Sequence, residues 1–166
     1  MIPDPLHPAI VHFPIVLMFV VPVLAIWAIW RISRGDESRK TWAIPFVAAI
    51  VLALSSWAAV ATGENDSEKV ERVVSEQPLE THEETAEMFL YLSVGVVVIA
   101  GAGLLRGTIG KSARILTTAA AVGLTVVGAR AGHSGGALVY KHGAAGAYNQ
   151  PSTSSTEKAI GEVRER

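Results

Sequence analysis

Five histidines are the strong nitrogen ligands of this chain. Two of them, His7 and His12, stand with Pro8 and Pro14 in the stretch LHPAIVHFP at the mouth of a long apolar run. Imidazole placed where a chain enters lipid is costly unless it is paired or ligated, so this mouth is the first candidate for chemistry. His82 precedes another apolar run, and His133 and His142 follow the last one. Cysteine is absent, which removes disulfides, Cys-bound zinc, iron–sulfur clusters and covalent c-type haem attachment together. Imidazole binds haem iron, copper, zinc and nickel, and a histidine pair facing across a helical bundle holds b-type haem without a covalent link.

The elements that must carry these side chains are hydrophobic. The 166 residues are 50% hydrophobic and only 17% charged, with a positive mean hydropathy, the composition of a small integral membrane protein. A bilayer core needs about 20 helical residues. Ala9 to Trp30 is apolar except for His12 and makes a first span, with Pro14 and Pro22 predicting an irregular helix near its outer end. Trp42 to Thr62 makes a second, with Pro45 in its first turn. Thr85 to Leu105 makes a third, preceded by His82, Glu83 and Glu84 and containing Glu87. Ile115 to Ala129 is the fourth and shortest, about 22 Å long against a hydrocarbon core of about 30 Å. Gly128 and Gly132 in and after it form a packing pair of the GxxxG type.

The near-zero net charge of −1 hides a segregation along the chain. Arg31, Arg34, Arg39 and Lys40 follow span one; Arg106, Lys111 and Arg114 follow span three. Glu64 to Glu84 is strongly acidic. The positive-inside rule puts both basic connections in the cytoplasm and both termini outside. With no charged n-region before Arg31, the N-terminus is expected to be retained rather than cleaved as a signal. All five histidines then fall at the outer ends of the spans. The expected fold is an all-α bundle of four transmembrane helices, with a short acidic outer loop and a glycine-rich C-terminal loop, SGGALVYKHGAAG, folded back over the bundle. Residues 1–147 form the membrane domain and residues 148–166 a polar, mobile tail. No internal repeat stands out.

HPAIVHFPIVL, His82 before the third span, and GGALVYKHG together resemble a bacterial family of predicted four-span membrane proteins, domain of unknown function 2231, over Leu6 to Ala147. The resemblance covers His7, His12, His82 and His142, whereas His133 lies outside the family pattern. Members of that family are also found joined to cytochrome c-like or Rieske-type modules, which implies a redox setting.

Each residue also has a plainer reading. His7 caps a helix, His12 donates to a carbonyl freed by Pro14, and His82 is a solvated loop residue. His142 sits in a turn, and Arg130 pairs with Glu64 or Glu83. Glu83, Glu84 and Glu87 are a solvated helix start, where acids favour the N-terminal dipole. No nucleophile-and-base arrangement surrounds Ser134 to support hydrolysis. GTIGKS at Gly107 to Ser112 lacks the spacing of a phosphate loop, and no basic patch supports nucleic-acid binding. Convergence on one membrane face carries the functional reading. That reading is one or two bis-histidine b haems held by His7, His12, His82 and His142, with Arg130 as propionate partner. The protein would move electrons near the periplasmic face of a bacterial cytoplasmic membrane, exchanging them with quinol or periplasmic redox proteins. The alternatives are a copper or zinc site of the same histidines and glutamates, for storage, sensing or transport, and a structural subunit of a homo-oligomer or larger membrane complex. In that last role the outer loop docks a soluble partner or a larger membrane complex, and small-residue faces supply helix contacts.

Overall fold

The structure, a computed structural model, describes residues 6–148. The first turn of helix, α1 (His7–Ile10), is separated by Val11 from α2 (His12–Ser33). Pro14 lacks the N–H that would bond the carbonyl of Ile10, so the break falls where the prolines predict it. Three long helices follow, α3 (Ser38–Val70), α4 (Glu76–Ala102) and α5 (Gly107–Tyr140), and then a short 3-10 turn, Ala144–Tyr148. Short connections make α2, α3, α4 and α5 alternate in direction. Each packs on its neighbours in chain order, and α5 closes the ring against α2. Among the described residues four helices are long and apolar enough to cross a membrane.

The interior is built from small side chains and the exterior from large ones. Ala25, Ala28, Ala49, Ala100, Ala121, Ser56 and Ser93 are buried, while Phe13, Phe19, Val23, Ile26, Trp57 and Val98 are more than half exposed. Water would reject that outer surface. Lipid accepts it, and small residues inside let the backbones approach closely. Gly128 shows the constraint: a Cβ there would collide with Met18 and Phe89. Its GxxxG companion Gly132 has open space around it, so only one member of the pair packs.

Three expectations about lengths are corrected. The fourth span is the longest helix, because Ala131–Tyr140, glycines included, continues α5 instead of folding back as a loop. Gly135 and Gly136 keep every backbone hydrogen bond a helix needs, and their low propensity is outweighed by packing against the bundle. Likewise α3 runs on through the first half of the acidic stretch to Val70 and α4 begins at Glu76, which reduces the expected short outer loop to a turn over residues 71–75, and Pro45 lies two turns inside α3. Val70, Val74, Leu79, Leu138 and Ala144 close this end with a second apolar cluster, on which Tyr148 also packs. The polar tail from residue 149 onward lies outside the described residues.

An internal repeat emerges from the burial pattern. Adding 75 to four of the six buried positions of α2 gives four of the five in α4: Pro14 and Phe89, Met18 and Ser93, Val21 and Val96, Ala25 and Ala100. Adding 72 to buried positions of α3 likewise gives buried positions of α5: Trp42 and Arg114, Pro45 and Thr117, Ala49 and Ala121, Leu52 and Leu124, Ser56 and Gly128. The two offsets differ by three residues, absorbed in the lengths of the helix ends, since the connections 34–37 and 103–106 are equally long. The chain is thus two helical hairpins that bury the same faces in the same register. Adding 75 to His7 gives His82.

The end opposite the histidines is locked by that repeat's least similar pair. Trp42, fully buried, donates from Nε1 to the carbonyl of Ala100 at 2.9 Å, and the Arg114 guanidinium stands 6.0 Å from the Trp42 ring. Arg114 Nε donates to Gly103 O at 2.8 Å and a terminal nitrogen to Leu105 O at 3.2 Å. One arginine thereby satisfies carbonyls that the end of α4 leaves open.

Candidate functional site

Each hairpin sets its histidine into a socket on the second helix of the pair. His7 in α1 places Nδ1 2.8 Å from the carbonyl oxygen of Ala59 in α3. A carbonyl only accepts, so Nδ1 carries the hydrogen and donates it. Thr62, one turn further along α3, directs its hydroxyl to Ala58 O and Ala59 O at 2.8 and 3.0 Å. Gly63 gives the ring room, since a Cβ there would come 3.2 Å from His7 Cε1 and Nδ1.

The second socket repeats the first with one change. Ala131, Ser134 and Gly135 occupy the positions of Ala59, Thr62 and Gly63 at the offset of 72. Ser134 Oγ donates to Ala131 O at 3.0 Å, which commits its hydrogen. The 3.0 Å contact between Ser134 Oγ and His82 Nδ1 is therefore donated by the imidazole. A Cβ on Gly135 would come 3.0 Å from His82 Cε1. Both rings are half-buried. Both have Nδ1 tied to the protein, which leaves Nε2 with its lone pair. This is the tautomer a metal-ligating histidine adopts when its other nitrogen is held by a second residue.

The two sockets bring the rings together. Their centroids lie 6.2 Å apart with the planes at 81°. No other expected ligand joins them. His12 is exposed on α2, and His133, His142 and Arg130 are exposed on or just beyond α5. Glu83 is half-buried, whereas Glu84 and Glu87 are exposed. Among the described residues no three histidine or carboxylate side chains gather closely enough to hold a metal ion. Nor does Arg130 make an ion pair with Glu64 or Glu83 among the described residues, so it is not the lock between outer segments that its plainer reading proposed.

The family model for a predicted membrane protein, DUF2231, matches residues 3–147. The chain belongs to the DUF2231 family. No curated protein and no solved structure matches it. As a DUF2231 member with four apolar helices it is a multi-pass membrane protein. The match takes in His7, His82 and both sockets.

Sequence reasoning found the two histidines and missed their sockets. The sequence predicts no base beside Ser134, and the structure puts the His82 imidazole there. The proton runs from the ring to the hydroxyl, so the serine positions the ring and is not activated by it. The signal in the sequence was the pair Ala-x-x-Thr-Gly at Ala59 and Ala-x-x-Ser-Gly at Ala131, 72 residues apart.

Proposed function

We propose that the protein binds haem b through His7 and His82 and carries electrons near the periplasmic face of a bacterial cytoplasmic membrane. The observation that carries this reading is the spacing of two tautomer-fixed rings. Imidazole nitrogen lies roughly 2 Å from a bound transition metal and about 1.1 Å from its ring centroid, so two rings on opposite sides of one ion have centroids about 6.2 Å apart. At a tetrahedral angle the separation would be roughly 5 Å. The observed separation of 6.2 Å would allow His7 and His82 to hold one haem iron between them. Zinc asks a protein for three or four donors, whereas the macrocycle of a haem already supplies four to its iron.

When bound, haem supplies a one-electron couple whose potential the axial ligands and their hydrogen bonds tune. The chain's own contribution is orientation. Ala59 O and Ser134 Oγ hold the rings, and the two hairpins hold the sockets at one separation. Exposed Arg130, one helical turn before Ser134, is available to a propionate. The charge distribution supports the orientation, because the basic connections Arg31–Lys40 and Arg106–Arg114 lie at the end of the bundle away from His7 and His82. With one ligand pair at one end, exchange with quinol or periplasmic carriers is favoured over electron passage across the bilayer.

The optical spectrum of the protein purified after expression with haem supplied tests this. A Soret band with sharp reduced α and β bands is expected, lost in His7→Ala and in His82→Ala and kept in His12→Ala, His133→Ala and His142→Ala. A colourless wild-type protein sinks the reading. The same two nitrogens suit a two-coordinate copper(I) ion, and elemental analysis of that colourless protein would recognise it.

A further inference from the structure

A strap of chain crosses the bundle above the histidine pair. In the ring of four helices α3 and α5 stand on one diagonal, and α2, which continues α1, stands opposite α4 on the other. His7 and His82 meet across that second diagonal. At the outer end the 3-10 turn Ala144–Tyr148 leaves α5 through Gly143 and packs on both α5 and α3, so it spans the first diagonal over the point where the rings meet. Gly143 has a φ of 73°, a left-handed conformation that turns the chain back and that glycine adopts without strain. Leu79 and Leu138 lie one helical turn outward of His82 and Gly135, and Ala144 is buried in the same cluster with them.

One residue of this outer layer breaks its apolar pattern. Asp66 stands one turn outward of Gly63, at the position that the second hairpin fills with buried Leu138. The Asp66 side chain is only 16% exposed. Its Oδ1 lies 3.8 Å from Lys69 Nζ, and its Oδ2 is buried without a hydrogen-bond partner among the described residues. Lys69 Nζ lies in turn 5.7 Å from the centre of the Tyr148 ring, at the end of the strap. A carboxylate oxygen held dry and unbonded is costly, and leucine would fill the same place without that cost.

We infer that residues 143–148 are a lid that opens the histidine pair to water at the outer face, and that Asp66 keeps the lid from locking, because its dry oxygen regains water when the strap lifts. The lid's use as an entry for haem rests on the reading of the pair as a haem site; its motion does not. Burial of Ala144, with Ala147 and Tyr148 packed beside it and Tyr148 over Lys69, favours closure on the order of a hundredfold. Asp66 opposes closure by about tenfold, which leaves the lid shut by about ten to one.

The chain has no cysteine, so Ala144→Cys in the full-length protein supplies a single thiol whose reaction with a charged, water-soluble maleimide reads lid opening. Tyr140→Cys, at an exposed position, sets the rate for an open site, and Ala121→Cys, in the bundle core, reads unfolding of the whole bundle. Ala144→Cys is expected to react about tenfold more slowly than Tyr140→Cys and far faster than Ala121→Cys. Adding Asp66→Leu is expected to slow it about tenfold further, and adding Tyr148→Ala to speed it severalfold. A rate equal to that of Tyr140→Cys, a rate equal to that of Ala121→Cys, or a rate that neither second substitution moves overturns the lid. With haem supplied, Asp66→Leu is expected to slow both uptake and loss about tenfold with little change in affinity, and unchanged rates overturn the lid as the haem entry. A wild type that takes up no haem sinks the haem reading instead, and the labelling rates still decide the lid.

Discussion

Three glycines at the histidine end of the bundle allow the sockets to be tested by adding one methyl group at a time. Alanine at Gly135 would place its Cβ 3.0 Å from His82 Cε1, where ordinary contact begins at 3.4 Å. The ring must retreat by about 0.4 Å, which stretches the 3.0 Å bond to Ser134 to the edge of hydrogen-bonding range. Losing that bond costs about 1 kcal/mol, or about a fivefold faster loss of haem. At Gly63 the clash is milder, 3.2 Å to His7, and the expected effect is about twofold. Gly136 has nothing within 4 Å. All three substitutions gain the same helix propensity, up to about 1 kcal/mol, so differences among them isolate the ring displacement. The assay is the rate of haem transfer to an excess of a scavenging globin, with thermal unfolding in detergent as a control for folding. The expected order of haem loss is Gly135→Ala, then Gly63→Ala, with Gly136→Ala at or below wild type. Equal rates for Gly135→Ala and Gly136→Ala would refute the socket geometry.

Further expectations concern single contacts. Ser134→Ala removes the acceptor for His82 Nδ1–H and is expected to shift the midpoint potential and speed haem loss severalfold, while Ser134→Thr, which restores the residue found in the other socket, recovers most of both; a potential indifferent to Ser134 would remove the serine from the account. Gly128→Ala overpacks Met18 and Phe89 and is expected to destabilise the bundle by about 1–3 kcal/mol in reversible unfolding, against no loss for Gly132→Ala. Arg114→Met abandons the Gly103 and Leu105 carbonyls and is expected to cost about 2–4 kcal/mol, with local exchange of amides at the α4–α5 connection rising before global unfolding does.

The membrane architecture was legible because its signal is long. Runs such as Ala9 to Trp30 admit one reading, and the alternation of Arg31–Lys40 with Glu64–Glu84 follows from it. Helix ends were less legible. Glycine, serine and histidine in Ala131–Tyr140 carry weak local preferences, and the contacts of α5 with Leu79 and Ala144 decide its conformation. His7 and His82 were visible as a residue type at a membrane edge. His12 looked as strong by that measure, yet one turn of α2 carries it to the exposed face. The sockets and the repeat were hidden for a related reason. The hairpins share burial and register, but residue type and size change at many positions: Trp42 corresponds to Arg114, Met18 to Ser93, and His12 to Glu87. Burial and register survive such changes, which a reading by residue type does not weigh.

Electron paramagnetic resonance of the ferric protein, read beside the His7→Ala and His82→Ala variants, tests the central claim most directly, because the spin state and g values would respond to two strong-field imidazoles and to the angle between their planes. With His7 and His82 rings at 81°, a low-spin signal dominated by a single large g value is expected, as near-perpendicular imidazoles leave the iron orbitals almost degenerate. A high-spin spectrum, or no haem signal from protein shown to be folded, would contradict the assignment.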